Sequence, residues 1–159
     1  MLRISRLTDY ATVLLAALAG EPERVQTAAS LARRTHVAAP TVSKLLKQLQ
    51  RAGLVSSTRG LHGGYQLARP ASQISAAAIL DALEGPVALT DCARGHGNCE
   101  IEQTCRVGRG WQRLNLAIRR ALHEVSLAQL AGIDSPPAPL PPLEREMKAA
   151  AGTPRSVRS

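Results

Sequence analysis

Apolar residues recur at helical spacing at the start of the 159-residue chain. These residues are spaced three or four apart, so they lie on one side of a predicted first helix. They are Leu7, Ala11, Leu14 and Leu18. Ser5 is a suitable N-cap for this helix, and Gly20 is a suitable end. The pattern therefore predicts an amphipathic helix between Ser5 and Gly20 with one face in the core.

Two further helices are predicted downstream, separated by the short link HVAA. Thr27 is the expected N-cap of the second helix, whose small apolar face comprises Ala28, Leu31 and Ala32. Pro40 suits the first turn of the third helix, and Gly53 suits its end. The core-facing stripe of that helix comprises Val42, Leu45, Leu46 and Leu49. Two short helices joined in this way predict a helix-turn-helix.

The outward face of the third helix is polar and basic, which is typical of a DNA-reading helix. In a helix-turn-helix the N-terminal part of the second helix of the motif enters the major groove. We therefore expect base contacts from Thr41, Ser43 and Lys44 and phosphate contacts from Lys47 and Arg51. Similar helix pairs also occur in proteins that bind no DNA, so the motif needs support from its surroundings.

The segment LVSSTRGLHGGYQLAR predicts a β-hairpin immediately after the third helix. Residues 54–58 and 64–68 have the composition of strands, and the glycines between them permit a tight tip. A hairpin in this position is a wing. Arg59 and His62 lie at its tip, where an arginine can enter the minor groove of DNA. The alternative is an exposed hairpin with an incidental arginine.

Charge and composition favour the DNA-binding interpretation and a helical fold. The formal net charge is +8, and the first 70 residues hold ten of the 20 basic residues but only three of the twelve acidic ones. A localised basic surface is typical of proteins that bind polyanions. The chain has no Phe and one Trp, so its core must consist of Leu, Ala, Val and Ile. The predicted fold class is mainly α, a winged helix-turn-helix.

Three cysteines, Cys92, Cys99 and Cys105, follow with the spacing C-x6-C-x5-C. Thiolates are soft ligands that favour iron–sulfur clusters, zinc or copper(I). Zinc sites usually pair their ligands as C-x2-4-C, a spacing that is absent here. A thiol-based redox switch and three unliganded thiols remain alternatives. The odd number of cysteines argues against a disulfide framework.

The last part of the chain predicts one long amphipathic helix and a tail. The apolar residues that recur at helical spacing are Trp111, Leu114, Ile118, Leu122 and Val125. This stripe must be buried, either within the chain or against a second copy. We expect a DNA-binding domain over residues 1–85, a cysteine loop over 86–109, a long helix over 110–131 and a disordered Pro/Ala-rich tail over 132–159.

Together these segments resemble a known family. The matching pieces are LTDYA, LLKQLQRAGLVSSTRG, GGYQLAR, ISAAAILDALEG, the three cysteines, GWQRLN and VSLAQLA. Over about residues 1–131 the chain is similar to the IscR/NsrR-type winged-helix iron–sulfur transcriptional regulators. The opening MLRISRLTDY is most similar to the subgroup that regulates the SUF iron–sulfur assembly system.

The resemblance implies an iron–sulfur cluster, 2Fe-2S or 4Fe-4S, on the three cysteines. The IscR-type member has a histidine three residues after the last cysteine, whereas this chain has Gly108 there. NsrR-type members use an aspartate from the other subunit, and the LTDYA match places Asp9 at that position. His96 is a third candidate. The alternative to a ligand role for Asp9 is that of an acid at the start of a helix, where it interacts with the helix dipole.

The resemblance also implies a homodimer, paired through the long helix, that binds double-stranded DNA at a palindromic promoter site. The expected function is that of a repressor of iron–sulfur assembly genes that senses cluster, redox or nitric oxide status. The alternatives are a thiol or metal-binding redox protein without promoter specificity and a winged-helix regulator with no cluster. No catalytic triad, P-loop or dinucleotide motif is present, so an enzyme is not expected. We expect a cytoplasmic protein without a membrane partner.

Overall fold

The computed structural model describes residues 4–89 and 106–134, and it is mainly helical. The elements in chain order are the helices α1 (Arg6–Ala19), α2 (Ala28–Thr35) and α3 (Ala39–Arg51), the strands β1 (Val55–Thr58) and β2 (Gly64–Leu67), a short 3-10 helix (Ala71–Gln73), and the helices α4 (Ala76–Glu84), α5 (Gly108–Glu124) and α6 (Leu127–Leu130). This order confirms the predicted winged helix-turn-helix class. None of the helices in the described ranges combines the length and the apolar character needed to cross a membrane.

The predicted helix starts are confirmed by their hydrogen bonds. The Ser5 side chain accepts a hydrogen bond from the backbone N–H of Thr8, and the Thr27 side chain accepts one from that of Ser30. Each bond satisfies an N–H group that has no partner within its helix. Helix α3 has no side-chain cap, and Pro40 lies in its first turn as predicted.

The core is aliphatic and lies between α1, α3, α4 and α6. Its fully buried large side chains include Leu14, Leu15, Leu18, Leu31, Leu45, Leu46, Leu49, Leu54, Ile74 and Leu127. The four predicted core residues of α3 are all buried. The position of Leu7 differs from the prediction, because its side chain is 40% exposed while Thr8 is only 2% exposed. Thr8 can be buried because its hydroxyl donates a hydrogen bond to Glu84 at the end of α4.

The two strands form an antiparallel hairpin in which Val55 pairs with Leu67 and Thr58 pairs with Gly64. A further bridge joins β2 to the link before α2. The N–H of Gln26 donates to the carbonyl of Tyr65 at 2.9 Å, and the N–H of Tyr65 donates to the carbonyl of Gln26 at 2.8 Å. The hairpin is therefore fastened to the helical core and is positioned relative to α3.

The C-terminal helices return to the core after the cysteine segment, defined as residues 90–105, which lies outside the described residues. Helix α5 begins at Gly108, two residues before the predicted start, and α6 begins after the N-cap Ser126. The N–H of Leu127 donates to the carbonyl of Ile74 at 2.7 Å, and Leu127 is fully buried. The winged helix-turn-helix and α6 therefore share one core.

Candidate DNA interface and cysteine-linked site

The turn between α2 and α3 fixes the orientation of the predicted reading helix. His36 ends α2 with a φ of 56°, in the left-handed region, and it is the only residue other than glycine with positive φ among the described residues. This conformation reverses the chain within a few residues. Leu31 and Val37 on either side of the turn are buried, so the two helices pack together as a helix-turn-helix.

The outer face of α3 carries the predicted DNA-contact residues. Lys44, Lys47 and Arg51 are exposed and are spaced three or four apart, so they line one side of the helix. Thr41 and Ser43 are half-buried at the N-terminal end of the same helix. The structure therefore brings the five predicted residues onto one helix, with the cationic ones most accessible.

The tip of the wing presents Arg59 and His62, both exposed. The two consecutive glycines that follow allow the backbone to approach other segments closely. A Cβ atom on Gly63 would lie 2.3 Å from the carbonyl oxygen of Thr58, and one on Gly64 would lie 2.6 Å from that of Gln26. No side chain fits at either position, so this glycine pair is required for the observed hairpin.

A hydrogen bond that the sequence did not predict joins the wing to the reading helix. Nε2 of Gln50 donates to Oγ of Ser57 at 2.8 Å. Gln50 lies in the last turn of α3 and Ser57 lies in β1. The bond fixes the angle between the two elements that are predicted to contact DNA. The residues are both exposed and polar, so no periodicity could have identified them as partners.

One acidic residue pairs with two arginines outside this surface. Glu21 forms ion pairs with Arg24 and Arg34, each at 2.8 Å. The hydrogen bond from Arg24 is the main reason that the pKa of Glu21 lies below its ordinary value, and the nearby charge of Arg34 also lowers it. The basic residues of α3 and of the wing tip form no ion pair with any described residue, and the same holds for Arg33 and Arg69. The predicted DNA face thus carries positive charge without an acidic partner among the described residues, although it does not hold all of that charge.

Asp9 lies in the first turn of α1, and it borders an open groove of about 330 Å³ between α1, α4, α5 and α6. The rest of the lining is mostly apolar and comprises Ile4, Thr8, Thr12, Ala76, Ile79, Leu80, Leu122, Val125 and Leu130. The Asp9 side chain is exposed and makes no hydrogen bond or ion pair within the described ranges. Its carboxylate is therefore accessible from outside the chain.

Helix α4 ends at Glu84, six residues before the cysteine segment begins. The sequence did not single out this residue. The Glu84 carboxylate accepts hydrogen bonds from the backbone N–H of Ser5, at 2.9 Å, and from the hydroxyl of Thr8. The Thr8 hydroxyl, followed by the Ser5 N–H, holds the pKa of Glu84 below its ordinary value. The end of α4 is thereby fastened to the start of α1, next to Asp9.

A second contact holds the chain just before the cysteine segment. Asn115 is the only buried residue of α5, and its Oδ1 accepts a hydrogen bond from the N–H of Leu89 at 3.4 Å. Asparagine is unfavourable inside a helix, so its position between two leucines could have indicated a special role. The five residues of the connector, 85–89, are therefore held at both ends.

The three cysteines and His96 lie outside the described residues. Within the described ranges, no group of three His, Cys, Asp or Glu side chains could hold a metal ion. Gly108 is the first residue of α5 and offers no side-chain ligand. The candidate donors that the sequence predicts are therefore the three thiols and His96, which the described residues do not include, and the accessible carboxylate of Asp9. Thiolate-rich donor sets of this kind suit an iron–sulfur cluster.

The family comparison matches most of the chain. The model of the family described as "Rrf2: Iron-dependent Transcriptional regulator" matches residues 4–132. This range includes the helix-turn-helix, the wing, the cysteines and α5.

Curated relatives of the chain include two transcriptional regulators. A putative HTH-type regulator of Haemophilus influenzae is 36% identical over 102 residues, which are 64% of this chain and 67% of the relative. The HTH-type regulator IscR of Cereibacter sphaeroides is 31% identical over 146 residues, which are 89% of this chain and 94% of the relative. Similarity thus extends over nearly the whole length of the second regulator.

Solved structures with the same fold include two further regulators. The global cysteine regulator CymR of B. subtilis has a TM-score of 0.65 and 28% identity, with 85% of this chain and all of that chain covered. IscR of T. potens has a TM-score of 0.60 and 27% identity, with 84% and 89% covered. Both the helical fold and its small two-stranded wing have counterparts among regulator structures.

Proposed function

Because the chain belongs to the Rrf2 family of transcriptional regulators, we propose that it is a homodimeric repressor that adjusts its promoter binding to the state of an iron–sulfur cluster. The relatives are transcriptional regulators and not enzymes. The observation that carries the proposal is the uncompensated basic face of α3, placed beside a wing with Arg59 at its tip.

DNA binding is assigned to α3 and the wing. Lys47 and Arg51 lie along the helix, where they reach phosphates, and Lys44 lies nearer its N-terminal end, where Thr41 and Ser43 also face base edges. Arg59 enters the adjacent minor groove, and His62 contacts the backbone beside it. The bond between Gln50 and Ser57 holds helix and wing in register during binding.

Dimerisation is assigned to α5. Two apolar residues of its predicted stripe are open to solvent in the single chain, with Trp111 43% exposed and Leu114 45% exposed. They lie three residues apart on one side of the helix, and exposed apolar residues grouped in this way are expected to be covered by a partner. A two-fold dimer would present two reading helices to a palindromic site.

Cluster binding is assigned to Cys92, Cys99 and Cys105, with Asp9 of the second subunit as the fourth ligand. When bound, the cluster supplies an iron centre that is open to oxidation, loss or reaction with nitric oxide. Asp9 suits the role because its carboxylate is accessible, and because it lies on α1, which packs against α3 in the core. A change at the cysteines would thus reach the reading helix through α1. Iron–sulfur assembly genes are the proposed targets, on the ground that about residues 1–131 resemble the IscR/NsrR-type regulators.

The proposal is tested by anaerobic purification followed by absorbance, iron and sulfide measurement. We expect a coloured protein with a cluster, and loss of the cluster after replacement of any of the three cysteines. An Asp9→Ala variant should lose its cluster faster than the parent, whereas Asp134→Ala, at an exposed position beyond α6, should not. A colourless protein after reconstitution would refute cluster binding.

DNA binding is tested separately by selection of sites from a random duplex library at fixed salt. Enrichment of a two-fold symmetric sequence is the expected result. Binding without any sequence preference would instead favour a thiol or metal-binding redox protein that lacks promoter specificity.

A second candidate is a winged-helix regulator that responds through its thiols without a cluster. The oxidized form of CymR of Staphylococcus aureus favours it, since that solved structure has a TM-score of 0.59 and 31% identity, with 82% of this chain covered. Sequence-selective DNA binding that changes with thiol oxidation in iron-free protein would support this candidate over the first.

A further inference from the structure

The connector 85–89 joins the DNA-binding core to the cysteine segment, and its two ends are fastened to different helices. At one end Glu84 accepts hydrogen bonds from Ser5 and Thr8 at the start of α1. At the other end the N–H of Leu89 donates to Asn115 in α5. The five residues of the connector therefore run between a contact with α1 and a contact with α5.

The contact between Glu84 and α1 is polar and specific. The hydroxyl of Thr8 is in a side chain that is only 2% exposed, so its partner must come from the protein. One oxygen of Glu84 serves both Thr8 and the Ser5 N–H. Hydrogen bonds to an ionised carboxylate are stronger than those between neutral groups. Within the described residues, this carboxylate makes the hydrogen bonds that join the end of α4 to the start of α1, and the remaining contacts between the two helices are packing contacts.

Helix α1 carries the effect onward. Its buried residues Ala11, Leu15 and Leu18 belong to the same core as Leu45 and Leu49 of α3. Packed cores shift as units because they contain little free volume. A tilt of the first turn of α1 is consequently transmitted to the helix that is proposed to read DNA.

We propose that Glu84 is a positioning residue that couples the state of the cysteine segment to α1, and through α1 to the DNA-reading helix. The inference rests on the proposed DNA-binding function, and it holds whether the cysteines carry a cluster or act as free thiols. Asn115 holds the other end of the connector on α5, so the connector joins α5, which follows the cysteine segment, to the end of α4 and the first turn of α1.

The test uses the full-length protein in two states, with its cysteines reduced and with them blocked by iodoacetamide. Two quantities are measured in each state: hydrogen exchange of the amides of Ser5, Thr8 and Asp9, and affinity for the selected DNA site. In the parent protein, blocking should change both, and the affinity should change at least about fivefold, the lower end of ordinary allosteric coupling. For each quantity we compare the two states as the ratio of the reduced to the blocked value. In Glu84→Ala both ratios should fall to about one.

The matched control is Glu124→Ala, which removes the same charge from an exposed position at the end of α5. It should keep the parent's two ratios, because any general electrostatic effect on DNA affinity is equal in the two thiol states. Thr8→Ser keeps the hydroxyl and should keep the coupling, whereas Thr8→Val keeps the shape and should lose it. This rescue separates a positioning role from a merely structural one.

Two results would overturn the inference. One is a Glu84→Ala variant that keeps the parent's ratios. The other is a parent protein in which blocking the cysteines leaves exchange at α1 unchanged. Failure of the cluster proposal is a different result, since an iron-free protein would be colourless after reconstitution while the exchange ratios still decide the role of Glu84.

Discussion

Exposed basic residues of this protein differ in whether an acidic side chain pairs with them. Lys47 is exposed on the outer face of α3, whereas Arg24 is exposed but paired with Glu21. Charge alone does not separate the two. The difference is the acidic neighbour, which Arg24 has and Lys47 lacks among the described residues. The two residues therefore provide matched variants for testing the predicted DNA face.

Lys47→Ala should weaken binding to all duplex sequences by a similar factor, because a phosphate contact carries no sequence information. The slope of log affinity against log salt should fall by about one. Fluorescence anisotropy at several salt concentrations measures both effects. Arg24→Ala removes the same charge and should change neither quantity much. An equal loss in the two variants would contradict the assigned interface.

His36→Gly should leave the fold intact and keep or raise its stability by up to about 1 kcal/mol. The left-handed conformation costs a residue with a Cβ atom roughly 1–2 kcal/mol, which glycine avoids, although glycine loses more entropy on folding. His36→Val should destabilise the turn, since a β-branched residue fits this region worst. Urea unfolding measures both, and a glycine variant less stable than the valine variant would refute the explanation.

The bond of Glu84 to α1 also predicts a pH dependence. Its folded pKa is lowered from 4.5, so its contribution to stability is fully present above that value and is lost as pH falls through the folded pKa. The difference in unfolding free energy between the parent and Glu84→Gln should be constant from about pH 7 to pH 5 and should shrink below about pH 4.5. A difference that grows on acidification would contradict this assignment.

At the scale of elements, the wing depends on close backbone packing more than on side chains. Its β2 strand forms hydrogen bonds with β1 on one side and with Gln26 on the other. Gly64 is the point where the hairpin and the link to α2 approach most closely. The wing therefore has little tolerance for an added methyl group.

Gly64→Ala should destabilise the fold by more than about 1 kcal/mol and weaken DNA binding, because the new Cβ would lie 2.6 Å from a backbone oxygen that cannot move aside easily. Gly20→Ala is the matched control, since its Cβ meets only ordinary contacts at 3.7 Å and beyond. Thermal unfolding and anisotropy measure the two effects. A Gly64→Ala variant as stable as Gly20→Ala would show that the link to α2 is dispensable.

At the scale of the whole molecule, the proposed dimer accounts for surfaces that the described part of one chain leaves open. Helix α5 is tied to α4 by the ion pair between Arg119 and Asp81, at 3.1 Å, yet some of its apolar residues stay open. The groove beside Asp9 is open as well. In the proposed dimer a second copy packs on α5, and Asp9 is the fourth ligand of its partner's cluster.

Leu114→Glu should shift the protein towards monomer, because a charge in the proposed α5 interface cannot be buried without a partner. Sedimentation velocity measures the oligomeric state, and affinity for a full palindrome should fall towards that for a half-site. Glu124→Lys, also exposed on α5, serves as the control and should remain dimeric. An unchanged oligomeric state in Leu114→Glu would place the interface elsewhere.

The sequence by itself determined the features that depend on neighbouring residues. Ser5 and Thr27 were identifiable as caps, the stripe of α3 as core and the glycines as a hairpin tip, because each interaction spans only a few positions. The basic residues of α3 followed from the same periodicity.

Only the tertiary structure decided which polar groups meet across the chain. Glu84 and Thr8 are 76 residues apart, and Leu89 and Asn115 are 26 apart. Neither pair has a periodic signature, since each arises from the packing of one helix end against another element. The same packing buries Thr8 and exposes Leu7, reversing what the apolar pattern alone predicted. The groups that join the cysteine segment to the DNA-binding unit are therefore those that no local pattern could identify.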